Sequence, residues 1–303
     1  MSPTKRRRSL VSLVPLVVAG AATTALLAGP ACSSKGTASQ DGGGPDDVSV
    51  VEAAADTMGT FDGVGTEPEA GPAGFVFFST SQEGMGSGGT VGAVFDGVPV
   101  MQAPCRITTV YGACAVYTCA SDADAGPGPG AGTLTFTAPS LEGGVTLDAG
   151  AGGLYALATP GPVFSPGDSL TVAASGGAVP AFGPESVQAP GAITLTDPAT
   201  DGGAIDVPTA NDLGFAWTGG SEDSVAVLTA TGTTSDGALV VARCSYVAIT
   251  GEGILPSAVL APLHGLSQGT LGWGQTNVAT FDAGAWSVTL LAEAYGSTPA
   301  TFQ

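Results

Sequence analysis

From Gly74 onward the chain never runs far before a glycine, proline, aspartate or serine interrupts it, and the apolar residues in between tend to alternate with polar ones. This punctuation constrains the fold more than any other feature. A packed helix needs roughly 10 or more residues with apolar positions three and four apart. Gly and Pro are the two worst residues for that purpose, and the 303 residues include 48 Gly and 22 Pro. A period of two suits a half-buried strand instead. Thr133-Leu134-Thr135-Phe136-Thr137 shows it, and so does Leu213-Gly214-Phe215-Ala216-Trp217. Strands are expected at 75–80, 90–95, 106–110, 114–119, 133–137, 145–147 and 169–173, then at 193–196, 213–218, 224–229, 239–246, 270–273, 278–281 and 286–294. One helix is expected, at 256–263, with Pro256 at its start, where a missing N–H costs nothing. Short strands at this spacing predict an all-β chain of antiparallel β-sandwiches.

The first 31 residues have a different character. Lys5, Arg6, Arg7 and Arg8 precede an apolar stretch from Leu10 to about Leu27, followed by small residues and Cys32. A basic region, an apolar region and a small-residue cleavage site make a secretory signal. Leu27-Ala28-Gly29-Pro30-Ala31-Cys32 resembles a bacterial lipobox, although Gly29 and Pro30 depart from its usual aliphatic and small residues. The resemblance implies a diacylglycerol on the Cys32 thiol, cleavage just before it, and attachment to the membrane through that lipid. Two other outcomes stay open: ordinary cleavage near Ala31, or an uncleaved anchor, which Pro15 and Gly20 weaken. Ser33, where an aspartate would favour retention at the inner membrane, points to the outer membrane of the cell envelope.

Residues 32–72 are rich in Gly, Ser, Asp and Glu and hold few large apolar side chains. They read as a disordered acidic tether, because so little burial does not offset the entropy of ordering. The rest divides into two expected modules, a β-sandwich at 73–190 and an immunoglobulin-like β-sandwich at 191–303, with the proline-marked stretch 180–190 as a stiff connector.

Charge narrows the function. The formal net charge is −19, from 7 Lys+Arg against 26 Asp+Glu. Eight acids lie between Asp41 and Glu69, so residues 72–303 carry 18 acids and two arginines, or 2 − 18 = −16. Such a body offers no basic surface to phosphates, which excludes nucleic acid as a natural partner.

Apart from Cys32, the cysteines are Cys105, Cys114, Cys119 and Cys244, an even number in an exported chain, which predicts two disulfides. Residues 104–119 read as a hairpin turning at Tyr111–Ala113. That register sets Cys105 opposite Cys119 and leaves Cys114 for Cys244, a cross-link between the two modules. The competing connectivity joins Cys105 to Cys114 and Cys119 to Cys244.

Two stretches carry a family resemblance. One is PGDSLTVAASGGAVPAF at 166–182, followed by AITLTDP; the other is LGFAWTGG from Leu213, then Arg243-Cys244-Ser245-Tyr246 and the stretch from Leu255 to Leu260. They resemble uncharacterised lipoproteins of myxobacteria and related soil bacteria with immunoglobulin-like C-terminal modules, over residues 100–300. The resemblance implies a fold and an envelope location, and it brings no catalytic residue.

Chemistry-bearing patterns are sparse. Gly265-Leu266-Ser267-Gln268-Gly269 has the spacing of a nucleophile elbow, but that motif needs a strand-to-helix turn and a later histidine, and the single histidine, His264, comes before Ser267. The glycine-rich run 84–89 lacks the βαβ unit a dinucleotide site requires. Asp122 and Asp124 begin a Ca²⁺-type loop without its third acid or distal glutamate, so they are weak metal candidates. Asp201, Asp206, Glu222, Asp223 and Asp236 read as loop acids. Of the three tryptophans, Trp217 reads as core, and Trp273, between two glycines, is the candidate for stacking on a sugar. The expectation is a non-enzymatic, lipid-anchored envelope protein without a cofactor, with a structural or binding role toward a glycan or an envelope protein. A carbohydrate-binding module and, less favoured, an envelope hydrolase are the alternatives.

Overall fold

A computed structural model describes residues 72–81, 88–96, 105–119, 128–150, 153–200 and 203–303. The signal, Cys32, the tether, the run 84–87, Asp122, Asp124 and Asp201 lie outside these residues. What is described is almost entirely β. In chain order the strands are β1 (Ala73–Ser81), β2 (Gly89–Asp96), β3 (Cys105–Tyr111), β4 (Cys114–Cys119), β5 (Leu134–Thr137), β6 (Val145–Leu147), β7 (Tyr155–Thr159), β8 (Ser169–Ala174) and β9 (Phe182–Gln188). They continue with β10 (Thr194–Asp197), β11 (Ile205–Val207), β12 (Leu213–Thr218), β13 (Val225–Thr233), β14 (Leu239–Val247), β15 (Glu252–Leu255), β16 (Ser267–Ala283) and β17 (Trp286–Phe302). The helix α1 is one turn, Ser257–Leu260, capped by Pro256 and followed by a 3-10 turn at Ala261–Leu263.

One long sheet organises the body, in the order β3-β4-β14-β13-β16-β17-β1-β2-β7, with β11 also paired to β17. Its spine is the β16–β17 hairpin, two strands of 17 residues each, long enough to reach about 55 Å at 3.3 Å per residue. The sheet is antiparallel except where β1 and β11 run parallel to β17. Two smaller antiparallel sheets, β6-β5-β8-β9 and β10-β12-β15, complete two sandwiches.

Alternation decides which side chains face inward. On β17, Val288, Leu290, Ala292 and Ala294 enter the first core, and Ala300 and Phe302, on the same side of the strand, enter the second. The first core adds Val76, Phe78 and Phe95 to Leu134, Phe136, Leu170 and Val172 of the β6-β5-β8-β9 sheet. The second adds Val116, Leu228, Ala242 and Leu271 to Phe215, Trp217 and Leu255. Both smaller sheets therefore pack on one and the same face of the long sheet. Gln275 and Asn277 of β16 occupy the seam between the two cores, where Gln275 donates to Ser221 Oγ at 3.0 Å and Asn277 to the Gln188 carbonyl at 2.9 Å.

The cores do not follow the division expected at residue 190. Strand β4 contributes Cys114 and Val116 to the second core, and Trp286 and Val288 of β17 belong to the first. The reason is topological: β1 pairs with the last strand, and β4 pairs with β14. The stretch taken as a connector is strand β9, at the edge of its sheet. Pro184 fits there because an edge strand has a side on which no ladder N–H is needed.

Candidate functional site

Among the described residues, the face of the long sheet opposite the two sandwich layers holds a concentration of buried polar side chains that includes the buried Arg243 and Glu293. An ordinary sandwich sheet leaves its outer face to water, and its strands alternate. Here β1 reads AGFVFFSTS with seven consecutive buried residues, and β4 reads CAVYTC with five of six buried. Strands covered on both faces lose alternation for this reason.

Register fixes what lies on that face. Arg243 of β14 stands opposite Ala115 of β4 on one side and Thr229 of β13 on the other. Ser245 is the next residue of β14 on the same face, and Tyr117 stands beside Val241. Farther along are Thr276 of β16, paired to Glu293 of β17, and Glu293 pairs in turn with Ser79 of β1. Arg243 is 2% exposed, Tyr117 1% and Thr276 2%. Gly272 and Gly274 keep the floor low, because a Cβ at Gly272 would lie 2.4 Å from Thr229 Oγ1.

Burial governs the electrostatics. The Arg243 guanidinium is pulled down to about 10 by loss of water, against the opposing influence of Glu293 and then Tyr117. Burial raises the Tyr117 phenol, with Arg243 acting the other way. Burial and the nearby Glu293 raise Tyr295, while a hydrogen bond with Ser81 lowers it. These influences tie β4, β14, β17 and β1 into one network. The hydroxyls of Tyr117, Ser245 and Thr276 are buried and find no hydrogen-bond partner among the described residues. Sequence reading missed this site. Its one signal was the loss of alternation in β1, β4 and β14.

A titration tests the burial of these phenols together with that of Tyr155 in the first core. Tyr117, Tyr155 and Tyr295, three of the five tyrosines, have phenols raised above the ordinary value of 10.0. The folded state thus holds their protons more tightly than the unfolded state does. Their stabilisation is fully present below pH 10 and is lost as pH rises through the folded values. Phenolate absorbance at 295 nm should rise in two phases, with the second coinciding with unfolding by circular dichroism. A single phase near pH 10 in a folded protein would contradict the burial of the three.

Other candidates are dispersed. Trp217 is 3% exposed in the second core, and its Nε1 donates to the Ala248 carbonyl at 2.7 Å. Trp273 is half-buried against the same core and lies over its cross-strand neighbour Gly296, where a Cβ would come 2.7 Å from indole Cε2. His264 Nδ1 is 3.2 Å from Thr209 Oγ1, and Ser267 Oγ donates to the Thr233 carbonyl, so the two side chains are engaged apart. Asp206, Glu222, Asp223 and Asp236 are exposed. Among the described residues no three His, Cys, Asp or Glu side chains gather where a metal could bind.

The cysteines form two disulfides, Cys105–Cys119 and Cys114–Cys244. Both join residues directly opposite on neighbouring strands. The second does not bridge the two sandwiches as expected, because Cys114 and Cys244 belong to the same core.

No known family matches the sequence, and no curated protein does. Among solved structures, the FN1–FN3 domains of chicken CNTN1 match at 12% identity and TM-score 0.18, over 65% of this chain and 66% of that one. A mutant Salmonella alpha-2-macroglobulin matches at 12% identity and TM-score 0.19, over 76% of this chain and 15% of that one. The chain thus spans just under two-thirds of the first and a small part of the second. At these scores the fold assignment rests on the strand order and the cores described above.

Proposed function

We propose that this chain is an exported envelope protein, held to a membrane by a lipid on Cys32, whose β-sandwich body serves structure or binding rather than catalysis. The observation that carries the reading is the cysteine inventory. The four cysteines of the body are all consumed in two disulfides, which belong to an oxidising compartment. Cys32, at the end of an export signal, is left for a thioether. The described residues hold no helix long and apolar enough to cross a membrane. A body at −16 is repelled by anionic headgroups, so a covalent lipid supplies the attachment. The separate engagements of His264 and Ser267 favour a non-catalytic role.

Fatty-acid labelling tests this. In a bacterial host the wild-type chain should incorporate labelled palmitate and partition into detergent. The Cys32→Ser chain should do neither, with both disulfides still formed. An unlabelled, water-soluble wild-type product would overturn lipid attachment.

A further inference from the structure

Strand β3 is the last strand of the long sheet, and its outer edge pairs with none of the described residues. Ile107, Val110 and Tyr111 of this strand are three of the eight exposed large apolar side chains among the described residues, with Val110 67% and Tyr111 56% exposed. An open strand edge is a template for another strand. The other sheet ends are guarded. Strand β9 carries Pro184 and Glu185, and β10 ends at Asp197, just before Pro198. On β15 the Tyr246 hydroxyl accepts from the Ile254 N–H at 3.1 Å and donates to the Ile254 carbonyl. Strands β6 and β7 lie against each other.

Register and charge select the occupant. Tyr117, Val116 and Ala115 of β4 stand opposite Ile107, Thr109 and Val110, so Thr108 is the extra residue of a bulge. Ile107 and Val110 therefore share one face, that of Ala115 and Tyr117. Without the bulge, residues three apart would point to opposite sides of the strand. An antiparallel copy of β3 centred on the bulge sets Ile107 beside Val110 of the copy, Arg106 beside its Tyr111, and Thr108-Thr109 beside the same two residues. Apolar, cation–π and Thr–Thr pairs are each favourable across strands. A bulge blunts many edges by bending them; this one lies on the two-fold axis, where both copies bend alike. Charge agrees with the register. Arg106 is the single charged residue of 105–119 and the one exposed Lys or Arg among the described residues, on a body of −16. Other contacts between two such bodies would set acids against acids, whereas this edge offers each copy a cation.

We infer that two copies of the chain pair through β3, antiparallel about the Thr108-Thr109 bulge, so that the long sheet continues from one copy into the other. Each copy uses the same edge, so the assembly closes at two. Six positions a side make the contact smaller than a standard interface of about 20–30 residues a side. The pair therefore forms and separates readily, and trapping detects it better than mass does. The proposal does not depend on the lipid at Cys32.

The test is disulfide trapping in the full chain, with Cys32→Ser removing the fifth thiol. One chain carries Ile107→Cys, a second carries Val110→Cys, and the two are mixed under mild oxidation. Directly opposite residues lie about 4.5–5.5 Å apart at Cα, within reach of a disulfide. The mixed dimer should form at least about tenfold faster than the dimer of either variant alone, because pairing raises the effective concentration of those two thiols only. Thr108→Lys in both chains sets two lysines against each other on the axis and should remove that advantage. Thr108 is exposed, and its side chain bonds to the Val116 carbonyl at 3.2 Å, so the hairpin held by Cys105–Cys119 survives the change. Absence of the mixed dimer, or its formation no faster than the others, would overturn the proposal. So would a mixed dimer whose rate Thr108→Lys leaves unchanged.

Discussion

Replacing Cys114 and Cys244 together by alanine should lower stability by about 5 kcal/mol. The bond closes a loop across 130 residues, and the chain-entropy estimate for a loop of that size is about 5 kcal/mol. The same estimate gives about 3 kcal/mol for Cys105 with Cys119, whose sequence separation is 14. At roughly 2–4 °C per kcal/mol for a body of this size, the melting temperature should fall by about 10–20 °C for the first pair and about 6–12 °C for the second. Calorimetry of both double variants decides the matter, and an equal or reversed ranking would contradict the pairing. Location reinforces the difference. Cys114 and Cys244 anchor the 105–119 hairpin to β14 in the interior of the second core. Cys105–Cys119 closes the hairpin at the edge of the sheet.

Trp217→Ala should cost about 4 kcal/mol. The indole is 3% exposed, stands among Phe215, Leu228 and Leu255, and faces Tyr246 with ring centroids 6.4 Å apart. Truncating a buried tryptophan costs about 3–5 kcal/mol. The Ala248 carbonyl, which accepts from Nε1 at 2.7 Å, is left without that donor. Denaturant unfolding measures the loss, with Trp273→Ala as the comparison. Because Trp273 is half-buried, its loss should be smaller. A cost below about 1.5 kcal/mol for Trp217 would mean that the second core is not packed as described. The β16–β17 hairpin runs through both cores, so the loss should shift one common transition rather than melt the second sandwich alone.

The strands were legible where alternation was clean. Strand β5 buries Leu134 and Phe136 and exposes Thr135 and Thr137, as its spelling dictates. Strand β12 buries Phe215 and Trp217 in the same way. Four strands escaped notice: β11 has three residues, β15 holds Gly253, β9 holds Pro184, and β7 is five residues set between Gly152-Gly153 and Pro160-Gly161. The spine was legible only in pieces. Gly272 and Gly274 and the stretch Thr276-Asn277 interrupt the apolar pattern of β16, yet the ladder to β17 continues through all of them. Local spelling weakens a strand at such points, and pairing along its whole length restores it. The candidate site left almost no trace in the sequence. Arg243 and Glu293 lie 50 residues apart, and nothing near either one names the other.

By itself the sequence determined the class of structure. Frequent Gly and Pro forbid long helices, period-two alternation assigns strands and their inner faces, and four body cysteines in an exported chain require pairing among themselves. These are local consequences of backbone freedom, side-chain direction and redox chemistry. Only the tertiary structure decided that the first strand closes on the last, that the cores exchange strands across residue 190, and that one long sheet is buried on both faces. Those outcomes depend on which strand edges meet. Every strand edge offers the same N–H and C=O groups, so the choice among them is made by packing over the whole molecule.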